Sequence, residues 1–258
     1  MITLPALIEL GRAAGAVVGR YFEAGCGVSQ KADASPVTAA DHEAEALIIA
    51  GLARFAPDVP VVAEEEVAAG RVPIIGERFF LVDPLDGTRE FVRGGHDFTV
   101  NIALIEGGAP VLGVVVAPML DQVFAGDVVR QRALTIDGEG ERPIRVRDAP
   151  AVLRAVASRS HADATTEAWL AASGISERVS VGSSLKFCLV ASGKADVYPR
   201  ATSIMEWDTA AGDAVLRAAG GRVIDPDGVP LRYGKPYFRS PPFVASGSVQ
   251  VPLLRPFL

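Results

Sequence analysis

The stretch "LVDPLDGTRE" (residues 81–90) decides how this chain is read. The apolar run "RFFLV" before it has the composition of a buried strand, and that strand ends on Asp83. Pro84 follows, which has no amide to offer a strand partner. Asp86 comes next but one, and then Gly87 and Thr88. Asp-Pro-x-Asp-Gly is a serviceable turn, but a turn does not need two carboxylates at the mouth of an apolar strand.

Moving outward from it, the same arrangement recurs. Upstream, "VPVVAEEE" reads as a short strand, Val59 to Ala63, running into Glu64, Glu65 and Glu66. Further upstream a helix fits Ala39 to Arg54, with Thr38 as its cap and Asp41 three residues on, at the capping-box position. Downstream, "FTVNIALIEGGAPVLGVVVAP" reads as a β-hairpin turning at Gly107-Gly108, which "DQVFAGD" extends. Residues 130–150 are polar and turn-rich, so a boundary is placed near their end. Beyond it strands and helices alternate: strand 152–158, helix 163–173, strand 178–182, helix 184–191, strand 195–199, helix 208–219 and strand 222–225. The expected fold class is an α+β N-terminal part, residues 1–150, with an α/β C-terminal part, residues 151–258.

Asp41, Glu64 with Glu65, Asp83 with Asp86, and Asp208 in "EWDTAAGDAV" are thus four acidic stations at strand ends and helix starts. Each has an ordinary reading. Asp41 closes a capping box, Glu64 to Glu66 form a solvated charge run, and Asp208 caps a helix whose buried stripe is Ala211, Ala214, Val215 and Ala218. Taken together they would repel one another. One like-charge pair near 4 Å costs about 4 kcal/mol at an effective dielectric of ~20. Such a cluster persists only if groups protonate or cations bind. The candidate donors are all oxygens, which selects a hard ion, Mg²⁺ or Mn²⁺, over zinc. Two such ions roughly 3.5–4 Å apart can activate a water and stabilise a leaving oxygen. Gly87 then lets the backbone approach a phosphate, and Thr88 offers a hydroxyl to orient the water.

The rest of the chain narrows the setting. It has 258 residues, 49% of them hydrophobic, and a formal net charge of −6, which disfavours a nucleic-acid polymer as partner. Cys26 and Cys188 form no zinc or disulfide pattern, as suits a reducing compartment. "MITLPALIELGRAAGAVVGRYFE" reads as an amphipathic helix rather than a signal core, with Leu4, Leu7, Ile8, Ala14 and Val18 near one face. No uncharged apolar run is long enough for a membrane span. The expectation is a cytoplasmic protein without stable membrane insertion, its association with the inner face of a membrane left open.

The ordered set "PVTAAD", "EE", "DPLDGT" and "WDTAAG" resembles the magnesium-dependent, lithium-sensitive phosphatases of the inositol monophosphatase superfamily. The resemblance spans nearly the whole chain and implies their layered αβαβα sugar-phosphatase-like fold. "DGTREFVRGGHDFTVNIALIEGG", "VASRSHAD", "VGSSLKFCLVASGKADVYPR" and "EWDTAAGDAV" are similar to the branch that acts on 3'(2'),5'-bisphosphate nucleotides. That implies hydrolysis of the 3'-phosphate of adenosine 3',5'-bisphosphate to AMP and a link to sulfate assimilation. 3'-Phosphoadenosine 5'-phosphosulfate stays open as a second substrate. The resemblance further implies two or three Mg²⁺ ions, with Mn²⁺ as an alternative and Li⁺ inhibitory, in a monomer or homodimer. Carried over residue by residue, the metal ligands fall on Glu64, Asp83, the Leu85 carbonyl, Asp86 and Asp208. Thr88 and Asp41 would orient and deprotonate the attacking water. The amides of Gly87 and Thr88 would hold the phosphate, and His161, Ser183, Lys186 and Arg200 would meet the nucleotide. Glu65 falls behind the ligands.

His161 could instead cap a helix near Asp163, Lys186 could be solvated on a helix face, and Arg200 could pair with a surface acid. The acidic pair is a triplet here, Glu64 to Glu66, so its register is open by one. Three rivals remain: an inositol or other sugar-phosphate phosphatase on the same fold, a phosphatase working through an aspartyl-phosphate, and a binding module that has lost catalysis.

Overall fold

The computed structural model describes residues 2–25, 28–30, 36–157 and 163–258. In chain order its first part contains α1 (Leu4–Ala24), β1 (Val28–Gln30), β2 (Pro36–Thr38), α2 (Ala39–Phe55), β3 (Val61–Ala63), α3 (Glu64–Ala68), β4 (Arg78–Asp86), α4 (Thr88–Val92), β5 (Thr99–Glu106), β6 (Ala109–Ala117), β7 (Gln122–Asp127), β8 (Arg132–Asp137) and β9 (Gly140–Pro143). The remainder contains β10 (Arg154–Ala157), α5 (Ala164–Ala172), β11 (Glu177–Ser180), α6 (Leu185–Ala191), β12 (Val197–Arg200), β13 (Ile204–Met205), α7 (Trp207–Ala218), β14 (Arg222–Ile224), β15 (Arg239–Ser240) and β16 (Phe243–Ser246).

The apolar runs at the centre of the sequence fold as a seven-stranded sheet in the order β3-β4-β5-β6-β7-β8-β9. β3 and β4 are parallel, and the remaining neighbours are antiparallel. Strand side chains alternate between faces, and both faces here are buried. Phe80, Val82, Val100, Ile102, Val114 and Val116 face α1 and α2. Phe79, Leu81, Ala103, Ile105, Val115 and Ala117 face the opposite way, onto α6 and α7. A five-stranded sheet, β11-β10-β12-β16-β14, lies beyond those two helices. Its far side packs on Trp169 and Leu170 of α5. The layers are therefore helix, sheet, helix, sheet, helix, the αβαβα arrangement the sequence implied.

Residues 130–150 are not all loop: β8 and β9 continue the first sheet to its edge, which the chain leaves after Pro143. An edge strand tolerates such a sequence because one side faces water. Its charges are satisfied laterally, Arg142 holding Asp137 through two bonds of 2.7 and 2.6 Å.

The helix starts follow local chemistry. Thr3 caps α1, accepting from the Ala6 amide. Thr38 and Asp41 form a full capping box on α2. α7 lies unusually close to the first sheet. A Cβ on Gly113 would stand 2.5 Å from the Ala211 carbonyl, and one on Gly126 would stand 2.7 Å from the Val215 Cα. Those two glycines let a helix from late in the chain settle on strands from its first part, which places Asp208 beside Asp83 and Asp86.

Candidate active site

Parallel strands end on the same side of a sheet, and β3 and β4 end on Glu64 and on Asp83 to Asp86. Ligands of layered α/β folds collect at such carboxyl ends. α7 adds Asp208 in its first turn, and the turn before α6 adds Ser183. Between them lies an open cleft of about 280 Å³, lined by Glu64, Asp86, Thr88 and Asp208 together with Ser183, Lys186 and Arg200.

The triplet Glu64 to Glu66 resolves in register. Glu64 faces the cleft. Glu65 is buried behind it, and Glu66 turns away to grip Arg71 with bonds of 2.6 and 2.7 Å. The backbone here is held from a distance. Glu45 of α2, itself buried, accepts from the amides of Glu65 at 2.7 Å and Glu66 at 2.9 Å. Burial pushes the Glu45 carboxyl up to about 7, against the pull of those two amides.

The loop after β4 is built for tight quarters. Asp83, 1% exposed, accepts from the Leu85 amide at 3.0 Å. Gly87 sits at φ 94°, ψ 33°, the left-handed region that disfavours a side chain. A Cβ there would stand 3.2 Å from Ser183 Oγ and 3.3 Å from the Asp97 carbonyl. α4 then opens on Thr88, whose hydroxyl lies 3.0 Å from the Leu85 carbonyl and 3.4 Å from Asp41 Oδ1. The other Asp41 oxygen takes the Thr38 amide and hydroxyl at 2.8 and 2.7 Å. Asp41 is thus both a capping residue and a neighbour of the site; the two readings are compatible because a carboxylate has two oxygens.

Electrostatics tie the acidic stations together. Burial raises Asp83 well above the usual carboxylate range, and the charges of Glu64, Asp86 and Asp208 raise it further. Asp208 is raised by burial, then by Asp86 and Glu64. Asp86 is raised by burial, while Lys186, Ser183, the Ser184 amide and Arg200 oppose the rise. Among the described residues no three His, Cys, Asp or Glu side chains are already drawn into a cage around one point. The fit to a cation rests on charge and donor chemistry. Three carboxylates, Glu64, Asp86 and Asp208, face the cleft, with Asp83 and Leu85 buried beside them, and the crowding raises Asp83 and Asp208 in a way that one or two hard cations would relieve.

The same cleft also carries cations. Lys186 is only 5% exposed, so it is not the solvated helix residue its spacing allowed. Its ammonium donates to the Ser183 carbonyl at 2.5 Å and lies 5.4 Å from the centre of the Tyr198 ring. Arg200 is half-buried, and its Nε finds no protein acceptor. Arg89, exposed at the rim of the cleft, is a cation the sequence reading passed over, although it directly follows the motif threonine. Ser184, beside the predicted Ser183, was passed over as well; it is fully buried and bonded to β5. His161 lies outside the described residues.

Comparison with known proteins agrees with this geometry. The model of the inositol monophosphatase family matches residues 3–251. The chain is 45% identical over 232 residues to the 3'(2'),5'-bisphosphate nucleotidase CysQ of Escherichia coli K12, covering 89% of this chain and 93% of that protein. The crystal structure of CysQ from Bacteroides thetaiotaomicron, 36% identical, superposes with a TM-score of 0.81 over 96% of this chain and 97% of that one. An IMPase from Thermotoga maritima is 27% identical, with a TM-score of 0.72 over 93% of this chain and 90% of its own. Among the described residues, no helix is long and apolar enough to cross a membrane.

Proposed function

The chain belongs to the inositol monophosphatase family, and on that premise we propose that it is a Mg²⁺-dependent 3'(2'),5'-bisphosphate nucleotidase. It would release the 3'-phosphate of adenosine 3',5'-bisphosphate to give AMP, in the cytoplasm, as a by-product step of sulfate assimilation. 3'-Phosphoadenosine 5'-phosphosulfate is a second substrate of the same shape. The observation that carries the reading is a cleft that gathers carboxylates and cations together, Glu64, Asp86 and Asp208 with Lys186 and Arg200. A cluster of carboxylates cannot receive a phosphate unaided, and a monophosphate does not need the added cations. A molecule with two anionic groups uses both.

Glu64, Asp83, the Leu85 carbonyl, Asp86 and Asp208 would hold the cations. When bound, these supply a lowered pKa for an attacking water and charge neutralisation for the phosphoryl group. The chain's own residues supply the remainder. Thr88 orients the water through its hydroxyl and Asp41 accepts the proton, through the oxygen that faces Thr88 rather than Thr38. The amides of Gly87 and Thr88 receive the phosphate. Lys186 and Arg200 meet the second anionic group, and the planar guanidinium suits it for two parallel bonds. The carboxylates are offered to cations, and no covalent phosphoenzyme is required.

Phosphate release from adenosine 3',5'-bisphosphate and from inositol 1-phosphate, measured side by side with Mg²⁺, with a chelator and with added Li⁺, tests the proposal. It expects a strong Mg²⁺-dependent preference for the nucleotide, suppressed by Li⁺. Preference for the inositol ester would overturn the substrate. No turnover of either ester, with metal still bound, would overturn the enzyme itself in favour of a binding module.

A further inference from the structure

Four polar side chains that no step above uses or fully explains lie in a row behind the cleft. Ser183 Oγ donates to the Asp86 carbonyl at 2.6 Å. Thr99 Oγ1 of β5 lies 3.0 Å from Ser183 Oγ and 2.8 Å from Ser184 Oγ. Ser184 Oγ lies 2.6 Å from Oδ1 of Asn101, two residues along β5 from Thr99. Thr99, Ser184 and Asn101 are each no more than 1% exposed. Each hydroxyl has one proton to share among these neighbours.

The proton count does not close with the Asn101 oxygen facing Ser184. The Asp86 carbonyl can only accept, so the Ser183 proton goes there. The Asn101 oxygen can only accept, so the Ser184 proton goes to it and the Thr99 proton goes to Ser184. Nothing then remains for the 3.0 Å contact between Thr99 and Ser183. Meanwhile the Asn101 Nδ2 group is buried and has no partner among the described residues, a costly state for an N–H donor. Turning the amide by half a rotation gives every contact along the row its own proton. Nδ2 then donates to Ser184, Ser184 to Thr99, Thr99 to Ser183 and Ser183 to Asp86. Amide oxygen and nitrogen are assigned through such networks.

We infer that Asn101, Ser184, Thr99 and Ser183 form one directed hydrogen-bond chain ending on Asp86, and that Thr99 and Asn101 are positioning residues for the reaction. The chain ties β5 of the first sheet to the turn before α6, across the junction that the cleft occupies. Ser183 shows what it holds: this non-glycine residue sits at φ 58°, a conformation that persists only where its surroundings impose it. Its hydroxyl, fed a proton by Thr99 and spending its own on Asp86, fixes the metal-loop backbone against the wall that carries Lys186. Unlike Asp86, neither Thr99 nor Asn101 lines the cleft, so they act on turnover only through the others. The role rests on the phosphatase reading above; the direction of the chain does not.

Two measurements test it. In Thr99→Val the shape is kept and the relay is cut. The expected result is a fall in kcat of about 10- to 100-fold, as for partners that orient metal ligands, with KM changed by less than about threefold, while Thr99→Ser restores kcat. Equal turnover in native protein and Thr99→Val, or loss in Thr99→Val that Thr99→Ser fails to restore, overturns the positioning role. Neutron diffraction from the deuterium-exchanged native protein reads the direction without any turnover. Deuterium on the Asn101 atom facing Ser184 Oγ is expected; an oxygen there overturns the chain. If the protein hydrolyses neither ester tested above, the neutron result still stands on its own, and the two failures remain distinct.

Discussion

Asp41 and Glu45 stand one turn apart on α2, and both turn their carboxylates inward, Asp41 toward the Thr88 hydroxyl and Glu45 onto the amides of Glu65 and Glu66. One helix face therefore sets the distance between the water-orienting threonine and the strand end that presents Glu64. Residues four apart on a helix share a face, so the spacing is fixed by the helix rather than by the loops it touches.

Glu45 gives that helix a pH signature. Its folded pKa is raised to about 7 by burial, so between about 4.5 and 7 the folded protein holds a proton that the unfolded chain has released. Folding stability should therefore fall as pH rises through that window. The Glu45 contribution should be on the order of 1–2 kcal/mol once solvent screening is allowed for. Glu45→Gln, followed by thermal melts across the window in metal-free buffer, should flatten that slope. An unchanged slope would show that Glu45 is ionised throughout.

Asp83→Asn and Asp86→Asn should each abolish Mg²⁺-dependent phosphate release, by at least about 100-fold. In metal-free buffer Asp83→Asn should melt no lower than native protein, because it removes a charge that burial and the neighbouring carboxylates oppose. The rise in melting temperature that Mg²⁺ gives native protein should shrink in both. Full activity in either variant would remove these aspartates from the site.

Lys186→Ala should raise KM for adenosine 3',5'-bisphosphate about 10-fold or more, the worth of a charge-assisted hydrogen bond. A nucleoside 3'-monophosphate should be affected far less. Equal effects on both would mean that Lys186 serves only to offset the Asp86 charge, which it favours by lowering that carboxyl's pKa.

Gly87→Ala should cost about 1–2 kcal/mol in urea unfolding for the left-handed backbone alone. It should also depress kcat, since the new methyl would press on Ser183 and on the Asp97 carbonyl. A variant with native stability and turnover would show that this loop is not held as tightly as its contacts indicate.

Much of this was legible in the sequence, for physical reasons that differ by residue. Asp83, Asp86 and Asp208 are legible only as a set, because each has an ordinary reading as turn or cap while several like charges gathered at strand ends and a helix start do not. α2 is legible from its cap and its period. β9 is not, because "GERP" at a sheet edge is almost wholly exposed and carries no alternation. β16 is missed for the opposite reason: "FVAS" is buried throughout, and four residues are too few to set a period. Thr99 and Asn101 carried a faint signal. They are polar at a spacing of two within "TVNIALIE", on a strand whose other residues are almost all apolar, which marks a face that meets something polar. What they meet, Ser183 and Ser184, lies more than eighty positions away in the chain, and no local pattern reaches that far.

The strand order β11-β10-β12-β16-β14 has a consequence for synthesis. Every hydrogen bond between β14 and its sheet runs through β16, which is translated after it. β14 must therefore wait, and the strand that admits it enters between neighbours already made. A nascent polypeptide stopped short of residue 243 would lose two adjoining strands of that sheet, β16 and with it β14. Asp208 would then be left on a helix whose support is missing on one side.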